Sequence, residues 1–91
     1  MSTQILAINR ANLDDFCFQL PNPIIAKPII LPKRGRGLEL QLDCGDVLAT
    51  VCENGSPAKF CSIDEVLLEL DGIENLDASA IQLNTSKFWE N

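Results

Sequence analysis

A small α+β domain built on a mostly antiparallel sheet is the fold class this sequence predicts, and three features predict it. "LELQLD" and "VLATV" alternate apolar and polar residues on either side of Cys44 and Gly45, the pattern of a half-buried hairpin. "SIDEVLLELDG" carries both a helix start and a helix stop. With 91 residues, 46% of them apolar and 22% charged, the chain can close one modest core and lies far from the composition of disorder.

The first element is a helix. In "NLDDFCFQL", Asn12 is the expected N-cap, and Asp14 and Asp15 put negative charge in the first turn, where it complements the helix dipole. Leu13, Phe16, Cys17 and Leu20 recur at helical spacing as a single apolar stripe. Pro21 and Pro23 end it, because proline cannot continue the hydrogen-bond ladder. From Pro21 to Gly37 the chain reads "PNPIIAKPIILPKRGRG". Proline lacks the N–H that a central strand needs, so this segment is expected as an extended arm or as an edge strand interrupted at Pro28.

The hairpin follows. With Cys44 and Gly45 as its turn, Leu42 pairs with Val47, Leu40 with Ala49 and Leu38 with Val51. Those residues share an inner face, while Glu39, Gln41, Leu48 and Thr50 share the outer one. A four-residue "NGSP" loop would then lead into a third strand, pairing Glu53 with Ala58, Cys52 with Lys59, Val51 with Phe60 and Thr50 with Cys61. Phe60 falls on the inner face. Cys52 and Cys61 point outward as diagonal neighbours, roughly 7–8 Å apart and beyond disulfide reach, whereas a one-residue change of loop register would set them directly opposite.

Ser62 and Glu65 form a capping box for the second helix, and Gly72 stands where a left-handed glycine closes it. Ile63, Val66, Leu67 and Leu70 are expected to cover the inner sheet face, leaving Asp64, Glu65, Glu69 and Asp71 in water. "SAIQLN" reads as a fourth strand with Ile81 and Leu83 inward, parallel to its neighbour after a right-handed crossover. The organisation is thus one domain over 1–91: an N-terminal helix and Pro-rich basic arm (1–37), a ββ(β)αβ core (38–84) and a tail (85–91).

No apolar run approaches the length of a membrane span, and the N-terminus meets acidic residues before any signal-like apolar stretch, so the reading is cytoplasmic with no membrane partner. Charge is distributed unevenly. Residues 1–37 hold five basic and two acidic residues, net +3, whereas residues 38–91 hold two basic and eleven acidic ones, net −9.

Little in the chain resembles catalytic chemistry. There is no histidine and no tyrosine, which removes the commonest general base and one alternative acid. The five glycines are scattered, and no nucleophile elbow or phosphate loop is present. The four cysteines are separated by 26, 7 and 8 residues, spacings that fit neither zinc ligands nor a C-x-x-C redox motif. The sequence therefore reads as a non-enzyme with no catalytic residues, no metal and no cofactor.

Binding readings remain. In the first, Asp43, Asp46, Glu53, Asp64, Glu65, Glu69 and Asp71, with Glu74 and Asp77 beyond them, form a negative field that steers a protein partner with a basic surface. Such a protein could occupy a nucleic-acid-binding channel and inhibit or regulate the machine that owns it. Small acidic inhibitors of phages and mobile elements, anti-CRISPR proteins among them, act this way as a class, and size and charge alone suggest the analogy. In the second reading, Lys33, Arg34 and Arg36 contact nucleic acid, as in a DNA-associated accessory protein. In the third, Ile29, Ile30, Leu31, Phe88 and Trp89 form an apolar interface, and the chain is a structural subunit or homodimer.

Overall fold

The computed structural model describes residues 4–89; residues 1–3, and the last two residues of the 85–91 tail, lie outside the described residues. The strands are β1 (Gln4–Asn9), β2 (Lys27–Lys33), β3 (Gly37–Asp43), β4 (Val47–Glu53), β5 (Ser56–Pro57) and β6 (Gln82–Leu83), and the helices α1 (Leu13–Phe18) and α2 (Ile63–Leu70). Arg10–Asn12 and Ser86–Phe88 form single 3-10 turns. The strands make one mixed sheet in the order β1-β4-β3-β2-β6, with β5 on β4 off this path. The β2·β3, β3·β4 and β4·β5 pairings are antiparallel, while β1·β4 and β2·β6 are parallel. The fold is α+β, with a sheet that is mostly but not purely antiparallel.

Both helices pack on one face. Leu13 and Cys17 of α1 and Val66 and Leu70 of α2 join Ile30, Leu40, Leu42, Ala49, Val51 and Phe60 in a single core. The alternation read from the sequence thus places the inner face correctly. Its register is off by two residues: Leu42 pairs with Ala49 rather than Val47, and the turn is Gly45-Asp46, closed by the Cys44 N–H donating to the Val47 carbonyl at 2.8 Å. A shift of two preserves every side chain's face, so apolar pattern alone cannot detect it.

The second turn is corrected in the same way. Cys52 pairs with Pro57 and Glu53 with Ser56, around a two-residue Asn54-Gly55 turn rather than a four-residue loop. Asn54 and Gly55 have φ of 55° and 82°, the left-handed pair that a hairpin turn matching strand twist requires. Beyond β5 the chain crosses to β3, where Phe60 and Leu38 exchange both main-chain hydrogen bonds at 2.8 Å. Gly37 makes that approach possible. A Cβ there would lie 2.7 Å from the Phe60 carbonyl oxygen, and its φ of +80° is itself unfavourable for other residues.

The Pro-rich arm is the largest correction, for residues 27–33 are an interior strand. Because Leu38 spends its N–H and carbonyl on Phe60, the opposing Pro32·Leu38 pair is not a hydrogen-bonded one, and neither is Pro28·Leu42 four residues along. Both proline nitrogens therefore face the β6 side, where no bond is demanded of them. On that side Ala26 and Ile30 do bond: the Ala26 N–H donates to the Asn75 carbonyl at 2.8 Å, and Asn84 N–H to the Ile30 carbonyl at 2.9 Å. β6 is confined to two residues opposite Ile29 and Ile30, between the prolines.

A second difference is β1, for which the sequence carries no clear strand signal. "QILAIN" carries four consecutive apolar residues and too little alternation to stand out. Elsewhere, α1 ends at Phe18, and Asn12 makes no capping bond; the Asn9 side chain instead accepts the Ala11 N–H of the preceding 3-10 turn. The α2 capping box forms, with Ser62 Oγ accepting the Glu65 N–H at 3.2 Å and Glu65 Oε2 accepting the Cys61 N–H at 2.9 Å. Gly72 follows the helix with φ +79°. Of the four α2 residues expected inward, Val66 and Leu70 are buried, but Ile63 and Leu67 are not. Ile81 packs on the core, whereas Leu83 is exposed.

Candidate functional site

Two acidic regions emerge from what looks in sequence like one. The first is organised by Arg10, in the 3-10 turn after β1. Its Nε and Nη2 donate to Glu69 Oε1 at 2.9 and 2.7 Å. Glu53 lies 3.8 Å from Nη1, and Glu65 lies 4.0 Å from Nη2. The guanidinium also covers the Phe60 ring, 4.7 Å from its centroid. The hydrogen bond to Glu69 raises the Arg10 pKa above its ordinary value, opposed by partial burial. Glu53, Glu65 and Glu69, three of the seven acidic candidates, are therefore bound to a cation of their own chain.

The second region is the solvent side of α2 and the adjoining end of α1. Asp64, Leu67, Leu68 and Asp71 line one shallow cleft; Asp14, Asp15, Phe18, Gly72 and Glu74 line another. Gly72 of the second cleft follows Asp71 of the first directly in the chain. Asn75, in the loop after α2, ties that loop to the end of α1, its Nδ2 donating to the Cys17 and Phe18 carbonyls at 3.2 Å each. Leu68 is 76% exposed and Phe18 65%, values normal for surface lysines and unusual for large apolar side chains. No lysine or arginine lines either cleft.

The remaining acidic candidates lie elsewhere. Asp43 accepts the Gly45 N–H at 3.0 Å and so shapes the β3–β4 turn, which Asp46 shares. Asp77 turns its carboxylate onto Ser79, 2.6 Å from Oγ and 3.1 Å from the amide, and these hydrogen bonds hold its pKa below the ordinary range.

The basic cluster sits at the β2–β3 turn. Lys33 pairs with Glu39 at 3.8 Å, and Arg36 is exposed. Arg34 stacks beside Phe88 and Trp89, 5.0 and 5.6 Å from their ring centroids. The structure thus brings aromatic residues to a basic turn more than fifty positions away in sequence. Of the apolar interface candidates, Ile30 and Leu31 are buried by the chain itself, Ile29 and Phe88 are half-buried, and Trp89 is exposed.

Cys17 and Cys44 are buried, Cys52 is half-buried and Cys61 exposed, all as free thiols. Burial, with smaller contributions from Cys44 and Asp14, pushes the Cys17 thiol up to about 11; burial followed by Asp43 raises Cys44 as well. Among the described residues, no group of three His, Cys, Asp or Glu side chains is arranged to hold a metal ion. No helix among them is long and apolar enough to cross a membrane.

Sequence reasoning missed Asp14, Asp15, Phe18, Leu67 and Leu68 as surface candidates. A signal was present for two of them: Phe18 and Leu68 are apolar yet fall off the stripes that build the core. Compared with known protein families, curated proteins and solved structures, the chain matches none.

Proposed function

We propose that this is a non-catalytic binding protein whose α2 face docks on a partner protein with a basic, partly apolar surface. The observation that carries the reading is the exposed Phe18, Leu67 and Leu68 set among Asp14, Asp15, Asp64, Asp71 and Glu74, with no cation lining either cleft. Exposed apolar side chains supply area to bury, and the carboxylate rim selects cationic partners and speeds encounter. A nucleic-acid-handling protein offers such a surface where its phosphate contacts lie. Occupying that surface would make this chain an inhibitor or regulator of the machine.

The test is capture by the tagged full chain from nuclease-treated lysate, with Asp64→Lys/Asp71→Lys and Leu68→Ser variants in parallel. A stoichiometric basic protein, retained by the wild type and lost from both variants and at high salt, is expected. Capture indifferent to charge, salt and Leu68 would overturn the reading. Asp64 and Asp71 are better probes than Glu65 and Glu69, whose reversal would also disturb Arg10.

One observation favours a second reading, that of nucleic-acid association through Lys33, Arg34 and Arg36. Arg34 lies against Phe88 and the exposed Trp89, combining a phosphate-binding cation with a stacking ring. Trp89 is the chain's only tryptophan, so its fluorescence reports this site alone. Quenching by single-stranded oligonucleotides that weakens with salt, and disappears in Arg34→Ala, is the result this reading expects; unchanged emission would remove it.

A further inference from the structure

We propose that the open edge of β1 pairs with β1 of a second copy, antiparallel and about a two-fold axis at Ala7, joining two sheets into one. β1 is terminal in the sheet and pairs only with β4. The Gln4 N–H donates to the Asp46 carbonyl at 3.0 Å, so Gln4, Leu6 and Ile8 direct their main-chain groups at β4. By the two-residue alternation of a strand, Ile5 and Ala7 direct both of theirs outward and Asn9 its N–H, the Asn9 carbonyl being taken by the 3-10 turn that it caps. No second strand among the described residues takes them.

The two edges of the sheet are treated differently. On the β6 side, prolines at positions 28 and 32 remove the donors that a further strand would use, and the terminal strand is only two residues long. Short strands, proline and charge are the usual means by which natural edges avoid pairing with other chains. β1 has none of these. "QILAIN" is six residues long, without charge, proline or glycine.

The strand is also complementary to itself. An axis at Ala7 sets Ala7 against Ala7 of the second copy and Ile5 against its Asn9, so that the two Ala7 residues exchange both bonds and the Asn9 N–H donates to the Ile5 carbonyl. Leu6 then meets Ile8 of the second copy on the core side of the sheet. Both are half-buried in the single chain and would be covered further. On the other side, Ile5 is 69% exposed and gains a neighbour. Ala7 at the axis carries only a methyl group, so no bulky side chain meets its own copy there. The arrangement is isologous and closed, so it yields a dimer and not a filament. It uses none of the carboxylates of the α2 face and stands or falls separately from the reading above.

The experiment is sedimentation equilibrium of the full chain across a wide concentration range, with hydrogen exchange of backbone amides. Wild type is expected to reach twice the chain mass, with Ala7 and Asn9 amides slowing as dimer forms and Leu6 and Ile8 amides unaffected. Ala7→Pro removes an outward N–H and leaves the β4 ladder intact. Ala7→Lys puts like charges face to face at the axis. Each should weaken association at least about tenfold, with unchanged circular dichroism at low concentration. Should Ala7→Pro fail to fold, Ala7→Lys decides. A wild type that stays monomeric throughout, or a dimer unaffected by Ala7→Lys, overturns the proposal.

Discussion

Glu69 and Asp64 lie five residues apart on the same helix, yet they belong to different electrostatic worlds. Glu69 is half-buried and accepts two bonds from Arg10, within a group where three carboxylates share one guanidinium. Asp64 stands in water beside Leu67 and Leu68, with no basic residue lining its cleft. The difference teaches that a chain's net charge is a poor guide to its working surface. Part of the −9 carried by residues 38–91 is bound to a cation from the other segment, and of the rest only Asp64, Asp71 and Glu74 line clefts that also expose apolar side chains.

Breaking the Arg10 group should have the largest effect. Arg10→Met removes the cation, leaves Glu53, Glu65 and Glu69 facing one another, and uncovers Phe60. The expected loss is about 2–3 kcal/mol in urea unfolding, below the fully buried case because the Arg10 side chain is 26% exposed. Glu69→Gln keeps the shape and loses only the charge-assisted bonds, so it should cost roughly 1–2 kcal/mol. If both variants unfold like wild type, the two acidic regions are not energetically distinct.

An alkaline titration extends the contrast to the thiols. The Cys17 pKa is raised to about 11 in the folded protein, so between the ordinary thiol value and about 11 the unfolded chain loses its proton first. Stability associated with the neutral buried thiol is complete below that window and declines as pH rises through it. The thermal midpoint should fall by several degrees across the window, and Cys17→Ala should flatten the decline. In the native protein, a thiol reagent should reach exposed Cys61 before the buried pair Cys17 and Cys44.

Asp64→Asn with Asp71→Asn should do least, within about 0.5 kcal/mol of wild type. Partner capture is the property these two residues should change. A large stability loss here would mean that the rim serves the fold and would undercut the α2 reading.

Much of this architecture was legible in the sequence because local rules specify it. The α2 cap, the apolar stripe of α1 and the inner face of β3 and β4 all follow from spacing within a dozen residues. The candidate site was less legible. Glu65 and Glu69 were expected in water because nothing near them in sequence is basic; their partner is Arg10, 59 positions from Glu69. Phe88 and Trp89 were separated from the basic turn for the same reason.

What the sequence determined by itself is which side of each element faces inward, since side-chain periodicity is a property of the strand or helix alone. Tertiary structure decided the register of both hairpins, because a slip of two residues leaves that periodicity unchanged. It also decided that residues 27–33 form an interior strand. Two prolines spaced by four keep their missing donors on one side, and whether that side needs donors depends on where Asn75 and Asn84 arrive from the far end of the chain. Likewise, only the packing of β1 against β4 carries Arg10 to Glu69, and so separates the carboxylates that hold the fold from those left to meet a partner.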